Sequence, residues 1–136
     1  MKMYSLKNGC DLLESLLDFA KNKKIKSCWI FGIGALKQAN IAWYNQKKEK
    51  YEEISIKEDL EIISLSGNIS LKSDSNFKDD VFPHFHISLS DKKGQTYGGH
   101  VLKGGKVFVC EFMVMQSLNQ KVRFFDKDRG LWLWHD

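Results

Sequence analysis

The sequence predicts an α+β domain, an antiparallel sheet with one helix near residues 11–24 packed on one face. Two observations carry this. A single capped, amphipathic segment stands near the start. After it, β-prone runs alternate with turn signals at short intervals. The whole of 1–136 reads as one domain, long enough to bury a core and free of linkers, repeats or low-complexity stretches.

The helix begins at Asp11, a capping residue, and Glu14 three positions later completes a capping-box-like pair. Leu12, Leu13, Leu16, Leu17 and Ala20 recur at helical spacing and give a stripe that packs on a sheet. Lys21, Lys23 and Lys24 suit the negative end of the helix dipole.

Strands follow. Ser27 to Ile33 is β-prone, and Gly32 and Gly34 around Ile33 mark a bend or a close backbone approach. This Gly-x-Gly lacks the third glycine and the following helix of a nucleotide loop. Gln38 to Tyr44 reads as the next strand, Asn45 to Lys48 as a turn, Tyr51 to Ile56 as a strand, and Leu60 to Ile69 as a longer one. Lys72 to Asp80 is polar and reads as an exposed loop. Val107 to Met115 is apolar on nearly both faces, which predicts a central strand covered on both sides.

The segment between these last two carries the chemistry. Of four histidines, three fall within seventeen residues: His84, His86 and His100. Side chains alternate across a strand, so in Val81 to Ser90 one face carries Val81, Pro83, Phe85, Ile87 and Leu89. The other carries Phe82, His84, His86, Ser88 and Ser90, with the two imidazoles about 7 Å apart. Lys92-Lys93-Gly94 has the form of a three-residue hairpin loop, a type I turn ending in a G1 bulge. Asp91 then pairs with Gln95, and counting back sets His86 opposite His100, with β-carbons about 4.5–5.5 Å apart. A one-residue slip would send His100 to the other face. Gly98 and Gly99 mark a bulge or a place where a ligand or another subunit approaches the backbone.

Lys103-Gly104-Gly105-Lys106 suits a two-residue hairpin. That pairing sets His100 opposite Val109 and Gly98 opposite Glu111, so Glu111 points to the histidine face among Val107, Val109, Met113 and Met115. A lone carboxylate in such a row is costly unless paired. It could orient a histidine, act as a fourth ligand, hold a proton for catalysis, or pair with a lysine or arginine.

Three imidazoles on one patch are a small metal site, suited to zinc, with nickel, iron or copper allowed by ligand chemistry. Three protein ligands leave a fourth position for an activated water or a recruited small or anionic ligand. His135, near the C-terminus, is incidental.

Composition bounds the partners. The net charge of +4 is a mild basic bias. Nineteen of the twenty-one basic residues are lysine, with only Arg123 and Arg129 as the arginine that base-edge readers favour. The lysine clusters at 21–26 and 47–50 read as a solvated helix end and turn, or as a phosphate-backbone patch. No apolar run reaches the ~20 residues of a membrane helix, and Met1 to Gly9 holds no signal core. Cys10, Cys28 and Cys110 are odd in number and unclustered, which predicts reduced thiols in the cytoplasm.

These residues resemble the PPC (or PCC) domain, the plants-and-prokaryotes-conserved domain of plant AT-hook nuclear-localised proteins, here as a stand-alone prokaryotic-type member. The matching segments are Ile33-Gly34-Ala35-Leu36, Leu60-Glu61-Ile62-Ile63-Ser64-Leu65-Ser66-Gly67-Asn68-Ile69, Pro83-His84-Phe85-His86-Ile87-Ser88-Leu89-Ser90 and Gly98-Gly99-His100-Val101-Leu102. Glu111 fits the acidic position of the following strand, and the similarity weakens after Met115. The resemblance implies a homotrimer, zinc on His84, His86 and His100, and a DNA-associated or regulatory role. The AT-hook proteins make their minor-groove contacts through an Arg-Gly-Arg-Pro type segment, which this sequence lacks. The alternative is a zinc-dependent hydrolase acting on a small molecule, with Glu111 as general acid/base. A third reading is a sensor whose metal anchors an anionic metabolite.

Overall fold

A computed structural model describes residues 2–74 and 81–135. It has β1 (Lys2–Leu6), α1 (Leu12–Asn22), β2 (Cys28–Asn45), β3 (Lys50–Ile56), β4 (Leu60–Lys72), β5 (Val81–Ser90), β6 (Thr96–Val101), β7 (Lys106–Gln116), β8 (Val122–Asp126) and β9 (Leu131–Trp134). The expected loop from Lys72 to Asp80 lies largely outside the described residues. Lys72 itself ends β4, and a turn follows at 73–74.

Asp11 caps α1 as its sequence requires, accepting from the Glu14 amide at 2.9 Å. The reciprocal half of the box does not form, because the Glu14 carboxylate pairs with Lys103. Leu12, Leu16 and Ala20 are buried in the core cluster, each leucine contributing about 1.5–3 kcal/mol of burial. Leu13 and Leu17 are half-buried at the edge of the stripe.

The two strands expected over 27–33 and 38–44 are one, the eighteen-residue β2. The glycines bend it without ending it. A register shift falls between Gly32 and Gly34, and Gly34 has φ +151°, where an added Cβ would sit 2.1 Å from the Val109 carbonyl oxygen. Only glycine admits that approach.

The length of β2 organises the sheet. Its first half, from Cys28 to Leu36, lies between β4 and β7. Its second half lies between β3 and β6, with Ile41 facing Val101 and Ala42 facing His100. β4 pairs with β5 and β5 with β6, so β2, β4, β5 and β6 close a ring. The core cluster, including Ile30, Leu65, Phe85, Leu89 and Val101, draws on all four of these strands.

One expected hairpin is absent. Lys103–Lys106 does not reverse the chain: β6 and β7 run on in one direction along β2 and do not pair with each other. The polar groups of this jog are satisfied elsewhere. Asn40 Nδ2 donates to the Lys103 carbonyl and Gln38 Nε2 to that of Gly104 (3.0 and 2.9 Å). The Gly104 amide donates to Asp11 Oδ2 at 2.6 Å, and the Leu12 amide donates to the Gly105 carbonyl. Helix cap and β2 thus replace the cross-turn bonds a hairpin would make.

β7 is central, between β1 and β2, but it is not covered on both sides. Val107, Cys110, Phe112 and Val114 are buried, whereas Phe108, Val109 and Met115 are exposed. Among the described residues no helix is long and apolar enough to cross a membrane.

Candidate metal centre

The hairpin between β5 and β6 forms as its turn chemistry dictates. The Asp91 amide donates to Gln95 O and the Gly94 amide to Asp91 O, both at 3.0 Å, with Gly94 at φ +78°. His86 pairs with His100 and Ser90 with Thr96, as expected. Phe85, Ile87 and Leu89 face the core, leaving His84 and His86 on the opposite face. Gly99 permits β6 to meet β2: an added Cβ would lie 2.7 Å from the Ala42 carbonyl oxygen. What approaches this glycine is therefore the protein's own backbone.

The three imidazoles converge. One ligand atom from each of His84, His86 and His100 lies within 4.8 Å of the others. Zinc bound by nitrogens at ~2.0–2.1 Å needs them about 3.3 Å apart, so the rings would close by about an ångström on an ion. Nδ1 of His100 is buried with no hydrogen-bond partner, a costly state that a cation relieves. Burial, then the nearby Arg123 and His86, push His84 down to about 4. Burial and the charges of His84, His86 and Arg123 push His100 to about 4 as well. Both rings are therefore neutral at pH 7 and keep the lone pairs a metal requires. The donor set fits zinc.

A cavity of about 520 Å³ opens on the triad. β3 supplies Tyr51, whose ring stacks on His100 with centroids 4.6 Å apart. The β8–β9 hairpin supplies Arg123 and Trp132. Arg123 is only 3% exposed. Its Nε donates to Ser70 Oγ, Nη1 to the Trp132 carbonyl and Nη2 to Asn68 Oδ1, all at 2.9–3.0 Å. Nη2 also lies 3.4 Å from His84 Nδ1, and the guanidinium packs over the rings of Phe82 and Trp134. Tyr44 pins the hairpin's turn, its hydroxyl donating to Arg129 O at 2.6 Å.

Glu111 is not part of this site. β7 sets it beside Ser5 of β1 and Ile33 of β2, where it lines a separate cavity with Met3, Phe31 and Met113. The sequence placed it on the histidine face only through the β6–β7 pairing that the jog at Lys103–Lys106 replaces. Conversely, Arg123, Tyr51 and Trp132 carried no sequence signal for this site beyond the scarcity of arginine. His135 stands apart, against Phe124.

Residues 2–118 match the Plants and Prokaryotes Conserved (PCC) domain. The chain belongs to the PCC family. A plant- and prokaryote-conserved (PPC) protein of Pyrococcus horikoshii is 34% identical, with a TM-score of 0.89 over 99% of this chain and 90% of that one. A metal-containing protein of Archaeoglobus fulgidus is 37% identical (TM-score 0.87, covering 99% and 92%). A protein of Bacteroides thetaiotaomicron, named as a candidate DNA-binding protein, is 28% identical (TM-score 0.87, covering 98% and 90%). Among curated relatives, the bifunctional protein GlmU of Synechococcus sp. (strain JA-3-3Ab) is 28% identical over 125 residues. They make up 89% of this chain, which spans only 18% of that protein's length. β8 and β9, with Arg123 and Trp132, lie beyond the residues that match the PCC domain.

Proposed function

We propose that this PCC domain is a zinc-binding regulatory module that works as a homotrimer in the reducing cytoplasm. The observation that carries it is the convergence of three imidazole nitrogens beside an unpartnered, buried His100 Nδ1. His84, His86 and His100 would hold the ion, and the metal would supply a Lewis-acidic position facing the cavity. The metal-containing relative from Archaeoglobus fulgidus supports the same reading. All three cysteines are free, and burial raises the Cys28 and Cys110 thiols to about 11, so they behave as inert packing groups.

Self-association has its own support. Directly paired residues on β1, β7 and β2 form apolar rows, Met3 with Met113 and Phe31, and Met115 with Trp29. Met3 and Ile33 on this surface are 85% and 58% exposed. A largely apolar sheet face of this kind, interrupted by Ser5 and Glu111, marks an interaction surface, and in the trimer a second copy would cover it. DNA association rests on the lysine excess and on the name of the Bacteroides relative. The hydrolytic alternative lacks its proton-transfer group within one chain, because Glu111 lies outside the histidine cavity.

Metal analysis of protein dialysed against zinc tests the central reading: one equivalent per chain is expected, and none would refute it. Light scattering should give three times the chain mass, with Ile33→Lys reducing it to one. A duplex-binding assay should show affinity that falls steeply with salt, and no retention at low salt removes the DNA-associated role.

A further inference from the structure

The charge balance of the histidine cavity is incomplete. Its described walls, from Tyr51 and Phe82 to Trp132, hold three imidazoles and a guanidinium but no carboxylate. Each hydrogen-bond partner that the described residues give Arg123 is neutral. A buried cation in such a setting is costly, and a divalent metal beside it adds to the deficit.

Loading the metal sharpens the problem. The guanidinium Nη2 lies 3.4 Å from His84 Nδ1, close enough to donate to it when that nitrogen carries a lone pair. A metal-bound imidazole has no free lone pair, since one nitrogen ligates and the other carries a proton. Arg123, which lines the cavity, then has an Nη2 N–H that loses His84 as its acceptor. The acceptor has to come from whatever occupies the cavity, and an anion serves both Arg123 and the metal.

Resting on the zinc-site reading, we propose that the cavity binds a small organic acid whose carboxylate bridges the metal and Arg123 while its apolar or aromatic body packs on Tyr51 and Trp132. The cavity's ~520 Å³ falls within the usual range of ligand pockets, roughly 300–1,000 Å³, and suits a single-ring molecule. Its aromatic walls favour such a body over a bare inorganic anion. The β8–β9 hairpin, outside the matched PCC residues, supplies both Arg123 and Trp132 and so acts as the specificity-determining wall.

Benzoate, benzamide and inorganic phosphate are titrated into zinc-loaded full-length protein, read by tryptophan fluorescence, with zinc content measured in parallel. Benzoate should bind at least about tenfold more tightly than neutral benzamide, the margin of a charge-assisted bond, and more tightly than phosphate. Arg123→Gln should reduce that preference several-fold while zinc is retained. If this buried substitution does not fold, the wild-type comparison of benzoate with benzamide still decides. Equal binding of the two, or tighter binding of phosphate, would overturn the proposal, as would zinc-loaded protein that ignores benzoate. Protein that takes up no zinc would instead fail at the metal reading, and the parallel metal analysis separates the two failures.

Discussion

Two of the cavities along β2, one at each half of the strand, differ in kind. The first, about 710 Å³, is lined by Met3, Phe31, Ile33 and Met113, with Glu111 as its one carboxylate. The second, about 520 Å³, gathers three imidazoles and a buried guanidinium with no carboxylate on its described walls. The larger space has the character of a surface awaiting a partner. The smaller one has the character of a site, because its polar atoms converge and are left uncompensated. Volume does not separate them by function; an unsatisfied imidazole nitrogen and unbalanced charge distinguish the second.

The sharpest way to break this contrast is to remove one ligand from the second cavity and the carboxylate from the first. His86→Ala should lower zinc affinity by more than the ~100-fold that loss of a supporting partner can cost. Glu111→Gln should leave zinc affinity unchanged. Competition with a chromophoric chelator measures both. Equal losses would mean that Glu111 reaches a triad, and that the division between the cavities does not hold in the assembled protein.

Local chemistry explains how far the sequence could be read. The alternation of Phe85 and Ile87 with His84 and His86, and the Gly94 turn, fix one hairpin within fifteen or so residues. The triad was therefore legible without any tertiary information. The helix start was legible for the same reason, since Asp11 and Glu14 are three residues apart. The same logic applied to Gly104-Gly105 misplaces Glu111. There the choice between a hairpin and a jog is made by Asn40, Gln38 and Asp11, none of them local to that segment. Arg123 reaches the site by a parallel β4–β8 pairing across some fifty residues, which no turn rule encodes.

A smaller effect should separate two adjacent glycines. Gly99→Ala forces a Cβ to 2.7 Å from the Ala42 carbonyl oxygen, where β6 joins β2 and closes the ring. It should cost about 1–3 kcal/mol in urea denaturation and weaken zinc binding by displacing His100. Gly98→Ala meets the Ile87 carbonyl oxygen at 3.2 Å. A shift of a few tenths of an ångström accommodates it, so the loss should be less than about 1 kcal/mol, with zinc binding retained. A larger loss at Gly98 than at Gly99 would place the critical approach on β5, not on β2.

The smallest expected effect is that of pH on the metal-free protein. His84 and His100 are held at about 4, below the ordinary value of 6.5, so between these values the unfolded chain binds more protons than the folded one. Stability is then complete above pH 6.5 and falls as pH drops through 6.5 towards 4. Both rings are only half-buried, so solvent screens part of the shift and the loss is modest. Urea midpoints at pH 7.5, 5.5 and 4.5 in the presence of a chelator should decline in that order. His84→Gln combined with His100→Gln should flatten the decline. A wild-type midpoint that holds level across this range would show that the folded protein does not keep these imidazoles neutral, and the metal would then compete with protons from pH 6.5 downward.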